Sequence, residues 1–324
     1  MRNAIIFVGS CLLAAGCLLL GCQVGPARAD NSPGALPPVA AASGIDISWP
    51  QCGAELPELP GFAVVGVNGG LPDTINPCLA AQLAWATGTP GGPAGNLVPV
   101  YVNTANPGAG GSWWPTSNVY NGNQINNPYG VCAGTATGAC AYVYGYGLAF
   151  EDANHRGVPD PAHRLWWLDV ETLNSWSSDS GANAAVLEGM TAYLEGIGAQ
   201  VGIYSTGYQF GEIAGVINVG SNLNRLDDWI AGADSPASAQ ANCGADPLTP
   251  GGSVTQTQFT TASFDYNLAC PSHRARALEP DAGTDTGQGE GPGTAGRDER
   301  SPLDLGGLLT FPEGVPWARG PSDQ

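Results

Sequence analysis

The chain has 324 residues, with ten arginines, no lysine and 28 acidic side chains, giving a formal net charge of −18 at pH 7. That length can bury a full hydrophobic core. So acidic a balance repels phosphate backbones and argues against nucleic acid or an anionic membrane surface as a partner, although solubility outside the cell accounts for most of the charge.

In chain order, Met1-Arg2 precedes an apolar run from Ala4 to Gly21, and Ala27-Arg28-Ala29 stands ahead of Asp30. This pattern predicts a secretory signal over residues 1–29 and a secreted, extracellular product. The alternative is lipid anchoring through Cys22 of Leu19-Leu20-Gly21-Cys22, against which the bulk of Leu20 speaks. Residues 30–43, rich in Ala, Pro, Ser and Gly, read as a linker, residues 44–270 as one domain, and 271–324 as a disordered tail without periodicity apart from a short apolar patch at Leu305 to Phe311. No later apolar stretch is long enough for an integral membrane span, and a monomer is expected.

Within 44–270, short apolar runs predict strands at Gly44–Ser48, Phe62–Asn68, Leu97–Asn103, Leu165–Glu171, Gln200–Ser205, Asp228–Ala231, Ser253–Phe259 and Phe264–Leu268. Helical spacing occurs over Pro77–Thr87, Ala141–Ala153 and Asn183–Ile197, the last stopped by Gly198. Strands alternating with helices predict an α/β fold with a parallel sheet, specifically an irregular TIM-type (β/α) barrel stapled by disulfides, with an open doubly wound sheet as the alternative. Residues 106–138, rich in Gly and Asn, read as a long loop that forms one wall of a cleft. Three of the nine cysteines lie in the signal. The remaining Cys52, Cys78, Cys132, Cys140, Cys243 and Cys270 make an even set for three disulfides, nearest-neighbour pairing being the simplest of many connectivities. No C-x-x-C occurs and His155, His163 and His273 are scattered, so no zinc or other metal site is expected.

The chemistry concentrates in Trp166-Trp167-Leu168-Asp169-Val170-Glu171. Alternation along a strand puts Asp169 and Glu171 on one face, about 7 Å apart, and at the strand's C-terminal end, which in a barrel is the active-site rim. Two carboxylates so placed cannot both ionise freely, and one is expected to hold a proton near neutral pH. For an isolated D-x-E pair, capping of the next turn or calcium binding would be the blander account. Asp46 on the first strand and Asp265 on the last are candidates to join them, because a closing barrel makes those strands neighbours. Trp49, Trp113, Trp114 and Trp176 are candidate sugar platforms, though core packing is the ordinary role of such residues. No phosphate-cradling, nucleophile-elbow or dinucleotide motif occurs, so no cofactor is expected.

Gly44-Ile45-Asp46-Ile47-Ser48, Leu168-Asp169-Val170-Glu171, Val201-Gly202-Ile203-Tyr204-Ser205, Asp228-Trp229-Ile230-Ala231 and Gln258-Phe259 ahead of Asp265-Tyr266-Asn267 follow one another in an order that resembles family 25 glycoside hydrolases. These lysozyme-type enzymes cut the glycan strand of peptidoglycan. The domain is also similar to actinobacterial secreted domains classed as glycoside-hydrolase-like. The resemblance implies that Glu171 is the catalytic acid and that Asp169 positions the substrate N-acetyl group or stabilises the cationic transition state, with Asp46 and Asp265 completing the acidic pocket and Tyr204 lining it. It departs from the family at Val65-Gly66-Val67-Asn68-Gly69-Gly70, where members carry a Lys-Ala-Thr-Glu-Gly-like strand. Asn68 therefore stands in for an acid at a substrate-placing position. The implied activity is hydrolysis of an N-acetylated cell-wall polysaccharide. The rivals are a catalytically weak or inactive barrel that binds wall glycan, and a surface protein whose acids bind calcium.

Overall fold

The structure, a computed structural model, describes residues 43–58, 60–89, 97–261 and 264–271. The expected signal, the linker up to residue 42, the lipid-anchoring alternative at Cys22 and all but the first residue of the expected tail lie outside the described residues.

Ten strands and five α-helices follow in the order β1 (Ser43–Ile47), β2 (Phe62–Gly66), α1 (Leu79–Ala86), β3 (Val100–Asn103), β4 (Val119–Tyr120), β5 (Asn123–Gln124), α2 (Gly138–His155), β6 (Leu165–Asp169), α3 (Ser180–Gly196), β7 (Gln200–Ser205), α4 (Gly207–Ala214), β8 (Asp227–Ala233), α5 (Pro236–Asn242), β9 (Ser253–Thr260) and β10 (Asp265–Ala269). The eight predicted strands are the eight staves of a closed barrel, ordered β1-β10-β9-β8-β7-β6-β3-β2. β4 and β5 form a separate small hairpin within the long loop.

The sheet departs from the parallel expectation at one strand. β10 runs antiparallel to both β9 and β1, whereas every other pairing in the barrel is parallel. Only residues 261–264 separate β9 from β10, too few for the crossover that a parallel return needs. Thr261 closes the reversal, its amide and hydroxyl both donating to the Phe264 carbonyl. The reversal places the start of β10, and hence Asp265, at the rim where the parallel strands end. The barrel is irregular at β1–β2 as well, where a single 3-10 turn at Trp49–Gln51 replaces a crossover helix.

Strand alternation sorts the wall. Trp166, Leu168, Ile45 and Ile47 face the helical shell, while Phe62, Val64, Trp167 and Trp229 fill the barrel interior together with Tyr101 and Tyr204. α2 and α3 approach each other closely because Gly145 and Gly189 carry no side chain: a Cβ on either would run into the other helix's backbone, at the Val186 and Tyr142 carbonyl oxygens respectively. α4 and α5 are too short for a period to show in sequence, yet their caps are ordinary, Thr206 accepting from the Gln209 amide and Ser235 from the Ser238 amide with Pro236 in the first turn.

The disulfides are Cys52–Cys78, Cys132–Cys140 and Cys243–Cys270, the nearest-neighbour set. The first ties the turn after β1 to the start of α1 and the last ties the end of α5 to the residue after β10, so both brace the edges where the barrel departs from regularity.

Candidate functional site

The acids converge because of register. Asp46 on β1 lies directly opposite Asp265 on β10. A row of aligned residues runs Asn103, Asp169, Tyr204, Trp229 across β3, β6, β7 and β8. β6 ends at Asp169, so Glu171 stands just beyond the strand and not within it as predicted. The extended path continues one residue further, the Val170 amide donating to the Tyr204 carbonyl, and Glu171 keeps to the same side as Asp169.

Asp46, Asp169, Glu171 and Asp265 line one cavity of about 230 Å³, with Ser48, Trp49, Gln51, Gly70, Tyr101 and Asn103 among its other walls. The same four acids and Tyr101 border a second recess of about 120 Å³ lined also by Tyr204, Trp229 and Gln258. None of the described arginines lines either space: Arg156 faces Asp152, and Arg164 donates to the Pro159 and Val98 carbonyls.

Asp46 and Asp169 are held by neutral amide donors. Asp46 Oδ2 accepts from Asn267 Nδ2 at 2.8 Å and from Gln258 Nε2 at 3.0 Å. Asp169 Oδ2 accepts from Asn103 Nδ2 at 2.6 Å, while its buried Oδ1 has no hydrogen-bond partner within the protein. Tyr204 donates to Gln258 Oε1 at 2.8 Å. The backbone of Asp169 is pinned separately, its carbonyl accepting from the Thr104 hydroxyl at 2.6 Å.

Burial dominates the electrostatics. It pushes Asp46 up to about 7, with the charge of Asp265 adding to it and the Asn267 and Gln258 hydrogen bonds opposing. Asp169 is raised well above the usual carboxylate range, first by burial and then by Glu171, with Asn103 opposing. Glu171 is raised by burial against a hydrogen bond from Gln209, and Asp265 is raised by burial. Burial and the surrounding carboxylates also lift Tyr101 and Tyr204, keeping both phenols neutral. Such a site can hold a proton for delivery and keep other carboxylates to face a developing positive charge.

The remaining predicted residues are placed differently. Asn68 is buried and does not line the cavity. Its amide nitrogen reaches Asp152 of α2 at 2.9 Å, and its carbonyl oxygen accepts from the Asn103 amide at 2.9 Å. Trp176 is not a cavity wall either, and its indole donates to the Glu171 carbonyl at 2.8 Å, clamping the backbone that carries the acid. Trp113 and Trp114 stack on Tyr144 of α2 at centroid distances of 5.7 and 5.3 Å. The long loop therefore contributes no lining residue to the cavity, contrary to expectation, because its aromatic rings find an apolar helix face. The wall comes from residues 48–51 and Gly70. Trp49 is the tryptophan at that wall, 47% exposed. Tyr101, Asn103 and Gln209 escaped the sequence reading, and Gln258 entered it only as part of a motif with no role attached, since a neutral side chain announces its role only once register places it beside an acid.

A family model described as "Lysozyme-like protein 1" matches residues 161–240, the span from just before β6 to within α5. "Probable GH family 25 lysozyme 4" of Dictyostelium discoideum is 34% identical over 90 residues, 24% of this chain and 42% of that protein. "Lysozyme-like protein 5" of Caenorhabditis elegans is 44% identical over 50 residues, 15% of this chain and 23% of that protein. The chain thus spans less than half the length of these curated relatives. A bacterial lysozyme structure from Streptomyces coelicolor aligns over 74% of this chain and 96% of that one, at 14% identity and a TM-score of 0.43. The chain resembles family 25 lysozymes.

Proposed function

We propose, starting from that resemblance, that the chain is a secreted, monomeric glycoside hydrolase acting on peptidoglycan or a related N-acetylated wall glycan. Glu171 protonates the leaving glycosidic oxygen, and Asp169 assists the oxocarbenium-like transition state or orients the N-acetyl group, whose oxygen is a candidate nucleophile. Asp46 and Asp265 complete the acidic wall, and Tyr204 and Trp49 contact sugar. One observation carries this reading: Glu171 and Asp169 border one rim cavity with buried Asp46 and half-buried Asp265, and no arginine among the described residues lines it. Raised carboxyls in such a cleft are what proton delivery near neutral pH requires. Secretion is supported by the three disulfides, and no helix among the described residues is long and apolar enough to cross a membrane.

A second reading, a barrel that binds wall glycan without cutting it, is favoured by Asn68, which offers the cavity no carboxylate and turns to Asp152. Release of reducing ends from purified wall by the wild type but not by Glu171→Gln supports the hydrolase. Equal wall retention by both proteins with no new reducing ends rejects it in favour of the binder.

A further inference from the structure

One buried acid outside the barrel connects to the site through three hydrogen bonds that run by way of two asparagines. Asp152 lies on the last turns of α2 and is 1% exposed. Its Oδ1 accepts from Asn68 Nδ2 at 2.9 Å. Asn68 Oδ1 in turn accepts from the Asn103 backbone amide at 2.9 Å, and Asn103 Nδ2 donates to Asp169 Oδ2 at 2.6 Å. Each link fixes the next. An amide side chain has one donor end and one acceptor end, so an acceptor at Asp152 makes the nitrogen of Asn68 face the helix and leaves its oxygen to face β3. With the Asn103 amide held there, the last residue of β3 keeps its own amide nitrogen on Asp169, the residue aligned with it on β6.

The nitrogen of Asn68 also faces the Pro72 and Thr74 carbonyls, at 3.2 and 3.3 Å, but the Asp152 contact is shorter and is made to a group that can bear charge. Around Asp152 itself stand Arg156, whose Nε is 3.7 Å from Oδ1, together with Glu151 and the phenols of Tyr120 and Tyr144. A carboxylate buried this deeply costs stability unless its partners repay it, and its other oxygen, Oδ2, has no partner within the protein. An apolar residue would fill the same space without that cost. What the acid does provide is a fixed acceptor for Asn68.

We propose that Asp152 is a positioning residue for Asp169, acting through Asn68 and Asn103 from the helical layer to the barrel rim. Its catalytic consequence rests on the hydrolase reading above, whereas its effect on Asp169 does not.

The test therefore has two readouts on the full chain. Carbon-13 NMR of the aspartate carboxyls follows the titration of Asp169, and reducing-end release from purified wall gives kcat and KM. Asp152→Leu removes the acceptor at similar size. The titration midpoint of Asp169 is expected to rise by about half a pH unit or more, because the Asn103 donor that favours the ionised form is no longer held in place. kcat is expected to fall about tenfold with KM changed less than about twofold, as for loss of a transition-state alignment. Asp152→Asn still presents an oxygen to Asn68 and is expected to restore both. Should Asp152→Leu not fold, Asn68→Ala cuts the chain one link further in and carries the same expectation. A folded Asp152→Leu with unchanged Asp169 titration and kcat overturns the proposal, as does an Asp152→Asn as impaired as Asp152→Leu. A wild type that releases no reducing ends overturns the hydrolase reading alone, and the carboxyl titration then decides the positioning claim.

Discussion

Two sets of buried carboxyls differ in surroundings more than in burial. Asp46 at the rim and Asp228 at the start of β8 are both pushed up to about 7, in each case chiefly by burial. Asp46 faces Asp265 across the β1–β10 pairing and opens on a shared cavity. Asp228 is fully buried beside the inward-facing Trp229, and its Oδ2 accepts from the Leu248 amide at 3.0 Å. It lines neither cavity and holds a loop to the wall. A perturbed carboxyl is thus no mark of a site by itself; convergence of several on one space is what separates the two sets.

That contrast breaks first on activity. If the hydrolase reading holds, Glu171→Gln lowers kcat for reducing-end release by about a hundredfold or more, the scale of a lost general acid, while Asp228→Asn leaves it unchanged because Asn can still accept from Leu248. Loss of activity in Asp228→Asn, measured in a protein with unchanged thermal unfolding, would erase the distinction.

Stability sharpens the same comparison in the opposite sense. A carboxyl raised from 3.8 to about 7 in the folded state holds its proton where the unfolded chain has lost it. Its stabilising contribution is therefore complete below pH 3.8 and declines as pH rises through about 7. For fully buried Asp228 this swing is on the order of a few kcal/mol. Unfolding by denaturant at pH 4 and pH 8 should show the wild type losing stability across that interval and Asp228→Asn losing measurably less. Equal pH dependence in the two proteins would mean that Asp228 is ionised throughout.

The split between what was legible in sequence and what was not follows from the range of each physical signal. Alternation is local, so Asp169 and Glu171 could be put on one side from six residues, and the shell-facing Leu168 and Val170 agree. Barrel closure is global but cheap to infer, which is why Asp46 and Asp265 could be paired. The direction of β10 depended on a connection of residues 261–264, and its antiparallel run was missed even though that run is what brings Asp265 to the rim. Asn68 illustrates the limit. Its identity showed that an acid was replaced, but the replacement's partner is 84 positions away on another element and carries no local mark. The disulfides follow the simplest pairing, but with six cysteines spacing alone leaves many connectivities open, and only the fold selects this one.

The smallest expected effect separates two kinds of tryptophan. Trp49 stands at the cavity wall, its ring against Gly70, whose φ of +95° suits a residue without a side chain. Trp113 packs edge-on to Tyr120 at 5.3 Å and stacked on Tyr144, and so closes the loop onto α2. By analogy with aromatic pairs, an aromatic face packed on the flat apolar face of a sugar ring is expected to contribute about 1 kcal/mol. Trp49→Ala should accordingly weaken binding of a soluble wall-glycan fragment about fivefold, read by calorimetry, with little change in unfolding temperature. Trp113→Ala should do the reverse, lowering the unfolding temperature while leaving that affinity intact, because its ring is committed to the protein's own aromatic side chains. If instead Trp113→Ala weakens binding and Trp49→Ala does not, the glycan runs along the loop and not across the rim, and the acids that line the cavity would no longer be the groups that meet it.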